Sequence, residues 1–415
     1  MSPERWIPFF IFTFILGALF RLPFLMTLSA SLAFVLMVMN WWRKRALDDI
    51  TYTRKPFYRR AFSGEKVNMK VEIENRKLLP LSWLRIEDPI PNAIGPEDES
   101  QLAPSHLPDQ SLLTNVLSMR WFQRVRRSYD LVLQKRGVYK IGPAKLRSGD
   151  LFGLYEESRQ LDDTLLMTVY PDLVPMQALD LPAEDPFGDR KARRRLFEDP
   201  NQPMGVREYH PEDSFRRVHW PATARTGELK VRVFQPTSAR IMVICLNVST
   251  FEHHWEGVYP PLMERLISTA ASIAYHAVED GYQVGLISNG CLAHSDTTFR
   301  VPPGRSPRQL STLLGVLAGV TPMVRAPFER FMVQEMPSVH YGARVLVVSA
   351  VTPPSLMEVL LKLKKRGRRV TLLSLAKEPP EVGLENVNFI HLPFEEEVPE
   401  NNVESIPAQP MGMSS

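Results

Sequence analysis

The hydrophobic pattern of this chain changes period several times. Apolar residues run almost unbroken over 6–20, Arg21, Leu22 and Pro23 interrupt them, and residues 22–42 form a second run without a charge. A helix needs about 20 apolar residues to cross a bilayer. The second run meets that length; the first spans only if Arg5 or Arg21 snorkels to an interface. The pattern predicts an N-terminal transmembrane α-hairpin over 1–45, in contact with lipid through 6–42. Trp6, Trp41 and Trp42 sit where interfacial aromatics belong. A signal peptide fits less well, because the apolar stretch is too long and no small-x-small cleavage site follows. Arg43, Lys44 and Arg45 come directly after the second run. The positive-inside bias keeps them, and the rest of the chain, cytoplasmic, at an inner or plasma membrane.

Residues 46–175 switch to period 2. Positions 67–75 alternate apolar and polar, as a half-buried strand does. Residues 131–133 and 138–141 read as a hairpin or as strands joined near Gly137, and 165–170 as a strand closed by Pro171. Short strands with turn signals predict a small β-sandwich. Residues 91–111, polar and Pro-rich, read as a long loop. Arg120, Arg124, Arg126 and Arg127 read as a solvated face in preference to a contact with anionic lipid.

Residues 176–240 form a linker with an Arg- and Trp-rich motif. Over 241–393 strands and helices alternate. Residues 241–248, 284–287, 345–349, 370–375 and 387–392 are strands. Leu262, Leu266, Ile267, Ala270, Ile273, Ala274 and Ala277 keep helical spacing up to Gly281. Further helices run through Leu310–Leu317 spacing and through Leu356, Val359, Leu360 and Leu363. This alternation predicts a doubly wound, mainly parallel α/β domain. Residues 394–415 read as a disordered acidic tail. The 36 prolines fit a multidomain chain rich in loops and strand ends.

Composition narrows the function. A net charge of +4 on 415 residues gives no global nucleic-acid field, and no nucleic-acid partner is expected. The run Arg190–Arg195 reads as a solvated linker. Cys245 and Cys291 read as core side chains in a reducing compartment. No Gly-rich phosphate loop opens any helix.

Candidate chemistry concentrates at 205–229. Pairing His219 with Asp213, with Ser214 or Thr223 as nucleophile, would make an enzyme of the hydrolase or transferase type. Against this, Asp213 and His219 share no helix face and no nucleophile turn is present. We expect no catalytic residue and no enzyme. Arg207, Arg216 and Arg225 instead read as forks for carboxylates such as Asp213, with Trp220 as an apolar anchor. Pro221 can start a helical turn and Gly227 can end it.

Here the sequence resembles a known family. Arg207, Tyr209, Asp213, Arg216, His219, Trp220, Thr223, Ala224 and Arg225 match the motif of the domain-of-unknown-function 58 family, with Glu212 in place of a Gly and Pro221 in place of a Lys. Residues 136–143, 150–154 and 169–171 resemble its other short motifs. The resemblance implies two membrane helices, a β-sandwich, the motif and a von Willebrand A-like domain. It also implies association with MoxR-type AAA+ ATPases and with transglutaminase-like membrane proteins, and no established activity. Von Willebrand A domains hold a divalent ion through Asp-x-Ser-x-Ser and a later acid. Asn247, Ser249 and Phe251 stand at the first motif and Ser349 at the later position, so the site is degenerate and we expect neither metal nor cofactor. His253 and His254 read as loop histidines. A membrane-anchored interaction or scaffold protein is the reading that follows, with the enzyme or a metal-dependent binder as alternatives.

Overall fold

The computed structural model describes residues 6–149, 156–175, 197–237 apart from 212, 214, 216 and 217, 240–379 apart from 254 and 294, and 387–394. The run 190–195, the motif at 150–154, Glu212, Ser214, Arg216, His254 and residues 395–415 of the acidic tail lie outside the described residues.

Helices α1 (Trp6–Leu19) and α2 (Pro23–Ala46) pack together around the turn at Arg21. Gly17 makes the close approach possible, since a Cβ there would sit 3.1 Å from the Met26 side chain. Among the described residues only α2 is long and apolar enough to cross a bilayer. The 14 residues of α1 reach about 21 Å, short of the roughly 30 Å hydrocarbon layer. The hairpin is therefore one candidate span with a shorter helix beside it.

The β-domain follows: β1 (Ile50–Pro56), β2 (Arg60–Phe62), β3 (Lys66–Asn75), β4 (Leu81–Pro91), β5 (Leu102–Pro104), β6 (Gln110–Met119), β7 (Arg124–Val132), β8 (Gly137–Ile141), β9 (Lys145–Gly149), β10 (Glu156–Gln160) and β11 (Leu165–Tyr170). They form three sheets, ordered β1-β3-β7, β10-β9-β4-β6-β5 and β2-β11-β8. One core unites them, built from alternate positions such as Val67, Met69, Val71 and Ile73 of β3. The hairpin expected at 131–141 does not form. Arg124–Val132 pairs with β3, whereas Gly137–Ile141 pairs with β11 in another sheet. The stretch 91–111 is also more ordered than a loop, with two 3-10 turns and β5 paired to β6.

A two-stranded ribbon, β12 (Phe197–Glu208) and β13 (Lys230–Thr237), carries the short helix α3 (Trp220–Thr226) between its strands. The α/β domain comprises β14 (Ile241–Leu246), α4 (Pro260–Glu279), β15 (Gln283–Leu292), β16 (Ser295–Gly304), α5 (Gln309–Ala318), β17 (Val320–Val324), α6 (Phe328–Glu335), β18 (Arg344–Ser349), α7 (Pro354–Lys365), β19 (Arg369–Ser374) and β20 (Asn388–His391). Its sheet runs β16-β15-β14-β18-β19-β20, with β17 against the end of β15. β14, β15, β18, β19 and β20 are parallel; β16 and β17 run antiparallel to β15. Met242, Ile244 and Leu246 face α4 and α5, while Val243 and Cys245 face α6 and α7, so both faces of the sheet are covered. Cys245 and Cys291 are buried free thiols.

The two domains share an interface. Tyr170, with Phe62, Leu173 and Val174, joins the α4–α5 side of the α/β core. Arg136, almost fully buried, donates from Nη1 to the carbonyls of Leu317, Ala318 and Val320 at 3.2, 3.1 and 2.9 Å and from Nε to Glu264 at 2.7 Å. Its charge thus lies against the C-terminal end of α5, where the helix dipole favours a cation.

Candidate functional site

The motif is built on the ribbon. Gly227 ends α3 in the left-handed conformation, at φ 72°, which lets the chain turn back into β13. His219 caps the other end: its Nδ1 accepts from the Ala222 N–H at 3.0 Å, and its own N–H donates to Lys230 O. Thr223 Oγ1 accepts from Lys230 N at 3.0 Å, and Val218 meets Val231 in a bridge that buries both. Each polar residue here closes a turn of the ribbon upon itself.

Arg207 grips Asp213 with two parallel bonds of 2.6 Å, and the His210 N–H adds a third at 2.9 Å. These donors hold the Asp213 carboxyl at about 2, with Arg207 the larger cause. An orienting carboxylate would have to grip His219 Nδ1, which the Ala222 amide occupies instead. The expected fork at Asp213 is present in Arg207; Arg225 lies exposed in the last turn of α3, and Arg216 is outside the described residues. Tyr209 packs its ring 5.3 Å from that of Phe215.

Trp220 does not anchor the segment. It is 63% exposed, and Phe215 is 65% exposed. A seven-residue helix on a two-stranded ribbon offers little to bury an indole against, and the small contact between ribbon and α3 is filled by Val218 and Val231.

The second candidate lies at the C-terminal edge of the parallel sheet, where open α/β folds bind ligands. The structure brings Asn247, Ser249 and Ser349 together there, all buried. Asn247 Nδ2 donates to Ser349 Oγ at 2.9 Å, and Asn247 Oδ1 accepts from the Ser249 N–H at 3.1 Å. The sequence reading missed Asn289, fully buried on β15. Its Nδ2 donates to Asn247 Oδ1 at 3.0 Å and to Ser249 Oγ at 3.3 Å, while its Oδ1 accepts from Val248 N at 3.0 Å. The polar pair Ser288 and Asn289, breaking an apolar strand, was the available signal. Asn247 Oδ1 accepts two bonds within this network, Ser349 Oγ is bonded to Asn247 and Val351, and no carboxylate, which a hard cation favours, belongs to it. Among the described residues no group of three or more His, Cys, Asp or Glu is placed to hold a metal.

Above the network opens a cavity of about 180 Å³, lined among others by Asn247, Ser249, Glu252, His253, Trp255 and Glu329. It is smaller than the roughly 300 Å³ at which small-molecule pockets begin. His253 stacks on Trp255 with ring centroids 4.5 Å apart, at the tip of an exposed loop.

Comparison with known proteins supports the family resemblance. Over 322 residues the chain is 25% identical to the uncharacterized protein YeaD of Bacillus subtilis, covering 76% of this chain and 73% of that one. Solved structures give only remote likenesses. The CARDB domain of the PF1109 protein from Pyrococcus furiosus is 10% identical over 29% of this chain and 92% of its own, with a TM-score of 0.20. The sporulation control protein Spo0M of Bacillus subtilis is 11% identical over 32% of this chain and 54% of its own, with a TM-score of 0.19. Neither carries an argument about this fold. The family model for "Protein of unknown function DUF58" matches residues 205–392, from the motif ribbon through the last strand, and that region of the chain is a DUF58 match.

Proposed function

We propose that this chain is a membrane-anchored interaction protein without catalysis of its own. In this reading α2 holds it in the inner or plasma membrane, its domains stand in the cytoplasm, and it works with a MoxR-type AAA+ ATPase or a cell-envelope complex. One observation carries the reading: Arg207, Asp213, His219 and Thr223 are engaged in shaping the ribbon, while Phe215 and Trp220 are turned outward. Exposed aromatics on a preformed scaffold are what a protein partner recognises. Arg43, Lys44 and Arg45, directly after the apolar run, support the cytoplasmic orientation. The β-domain is read as a sandwich-type module. The sheet order, with its antiparallel edge strand, supports a von Willebrand A-like α/β domain whose C-terminal edge works without metal.

The test is purification of the full chain in detergent, with and without nucleotide. Recovery of an AAA+ ATPase, lost in the Trp220→Ala and Phe215→Ala variants, supports the proposal. His219→Asn keeps an N-cap acceptor and removes the imidazole. If no ATPase associates and His219→Asn abolishes cellular function in a folded protein, the enzyme reading replaces this one.

A further inference from the structure

The end of the β-domain nearest the anchor carries features that an interaction role for the ribbon does not use. Ile50 pairs with Asn75, Glu74 with Arg124, and Leu81 with Met119. These registers bring the turns at 76–80 and 120–123 to the end where α2 runs into β1. Hydrogen bonds tie them there: Arg76 N to Asp49 O at 3.0 Å, Phe122 N to Lys77 O at 3.3 Å, and Asn75 Nδ2 to Leu79 O and Arg120 O at 3.0 and 2.9 Å. Lys77 Nζ reaches the last turn of α2, donating to Ala46 O at 2.7 Å and also to Asp48 O.

At the tips of this platform stand Leu78, Trp121 and Phe122, 75%, 61% and 63% exposed. Phe122 has φ 49°, a left-handed conformation uncommon for a bulky residue. Arg120 is exposed beside them. The neighbouring arginines are not available to lipid in the same way. Arg124 and Arg126 pair with Glu72 or Glu74, and Arg127 donates to Asn115. The basic strip of β7 is exposed, as the solvated-face reading expects, and its Arg124 and Arg126 charges are paired with Glu72 and Glu74, so the unusual chemistry lies in the turn before it.

We propose that this end of the β-domain is a lipid-docking surface that seats Leu78, Trp121 and Phe122 in the boundary between headgroups and acyl chains, with Arg120 among the headgroups. The inference rests on the reading that α2 crosses a bilayer. Trp42, an interfacial residue in that reading, packs against the β-domain core, so the domain reaches the level of the membrane surface. Ala46 lies four residues further, about 6 Å along the helix, within the roughly 5–7 Å headgroup layer. A Trp, a Phe and a Leu with a cationic flank have the composition of an interfacial anchor. Two interfacial attachments, one helix and one platform, fix the tilt of the whole body over the bilayer.

Phe57 and Tyr58 provide an internal control. They are exposed aromatics just past the far end of β1, seven and eight residues from Ile50 and about 23 Å away at Phe57. Both native cysteines are buried, so single nitroxide labels can be placed on the full chain at Leu78→Cys, Phe122→Cys, Phe57→Cys and, within α2, Met37→Cys. The labelled proteins are reconstituted into phosphatidylethanolamine–phosphatidylglycerol vesicles, and collision rates with oxygen and with a water-soluble nickel complex are compared. The expected oxygen-to-nickel ratio at 78 and 122 is severalfold above that at 57 and below that at 37. A ratio at 78 and 122 equal to that at 57, with 37 lipid-immersed, overturns the docking surface and leaves the anchor standing. An aqueous ratio at 37 overturns both.

Discussion

In the β-domain Arg54 and Asp88 lie together beneath the sheets, joined by bonds of 2.7 and 2.8 Å, with the Tyr52 hydroxyl donating a third at 2.8 Å. In the α/β domain Asn247, Ser249, Asn289 and Ser349 are as deeply buried, yet all are neutral. Both networks join residues distant in sequence and hold separate strands in register. They differ in what happens when one member is lost. A buried ion pair is held by mutual neutralisation, so removing one partner leaves an uncompensated charge. A neutral network distributes its bonds, and losing one member leaves only unpaired dipoles. The C-terminal edge of the parallel sheet, where open α/β folds bind ligands, is thus lined here by groups that tolerate local rearrangement.

The largest effect should come from Asp88→Ala, which leaves Arg54 buried without its main partner. We expect a loss of about 3–5 kcal/mol, read by urea unfolding of the detergent-solubilised protein followed by circular dichroism. Asn289→Ala should cost less, about 1–3 kcal/mol for the unsatisfied partners it leaves, in the same measurement. Equal costs for the two variants would break the comparison.

Acid sharpens it. Lys55 and Arg126 hold the Glu72 carboxyl at about 2, below the ordinary 4.5, and Asp213 is likewise held at about 2, below 3.8. Both folded-state values lie below the unfolded ones. The stability they confer is complete above those ordinary values and is lost as pH falls through about 2. The neutral network contains no titrating group. Amide protection factors should therefore fall first on β3, β7 and the ribbon between pH 4 and 2, while 247–249 and 289 hold theirs. The smallest effect belongs to Trp220→Ala. An exposed side chain with few neighbours should change stability by no more than about 0.5 kcal/mol, measured by thermal melting, although it removes the outward ring.

Much of the fold was legible where a periodicity is strong. The helical spacing of Leu266, Ile267, Ala270, Ile273, Ala274 and Ala277 matches the buried face of α4, and the alternation at 67–75 matches β3. Pro221 and Gly227 bracket α3 as their backbone preferences require. What the pattern does not encode is the partner of a strand. Residues 131–133 and 138–141 each read correctly as extended, and still join different sheets, because alternation specifies a face and not a neighbour. Strands β16 and β17 went unseen since Pro302, Pro303 and Pro322 weaken their signal, which antiparallel edge positions tolerate. At the candidate site the bidentate Arg207–Asp213 pair was legible from charge alone. The direction of Trp220 was not, because an indole in a short amphipathic turn can face either way. Asn289 escaped because burial of an amide depends on partners 40 residues away.

The clasp at Arg136 has a consequence for how the chain is made. Its carbonyl acceptors lie 181 to 184 residues downstream. At about 5–20 residues per second on the ribosome, about 10–40 s separate the synthesis of the guanidinium from that of its last carbonyl. During that interval the β-domain has no α/β partner to cover Arg136, Phe62 and Tyr170. Any chaperone or nascent-chain factor that guards this protein would have to recognise that transient apolar and cationic face, and would be displaced from it when α5 arrives.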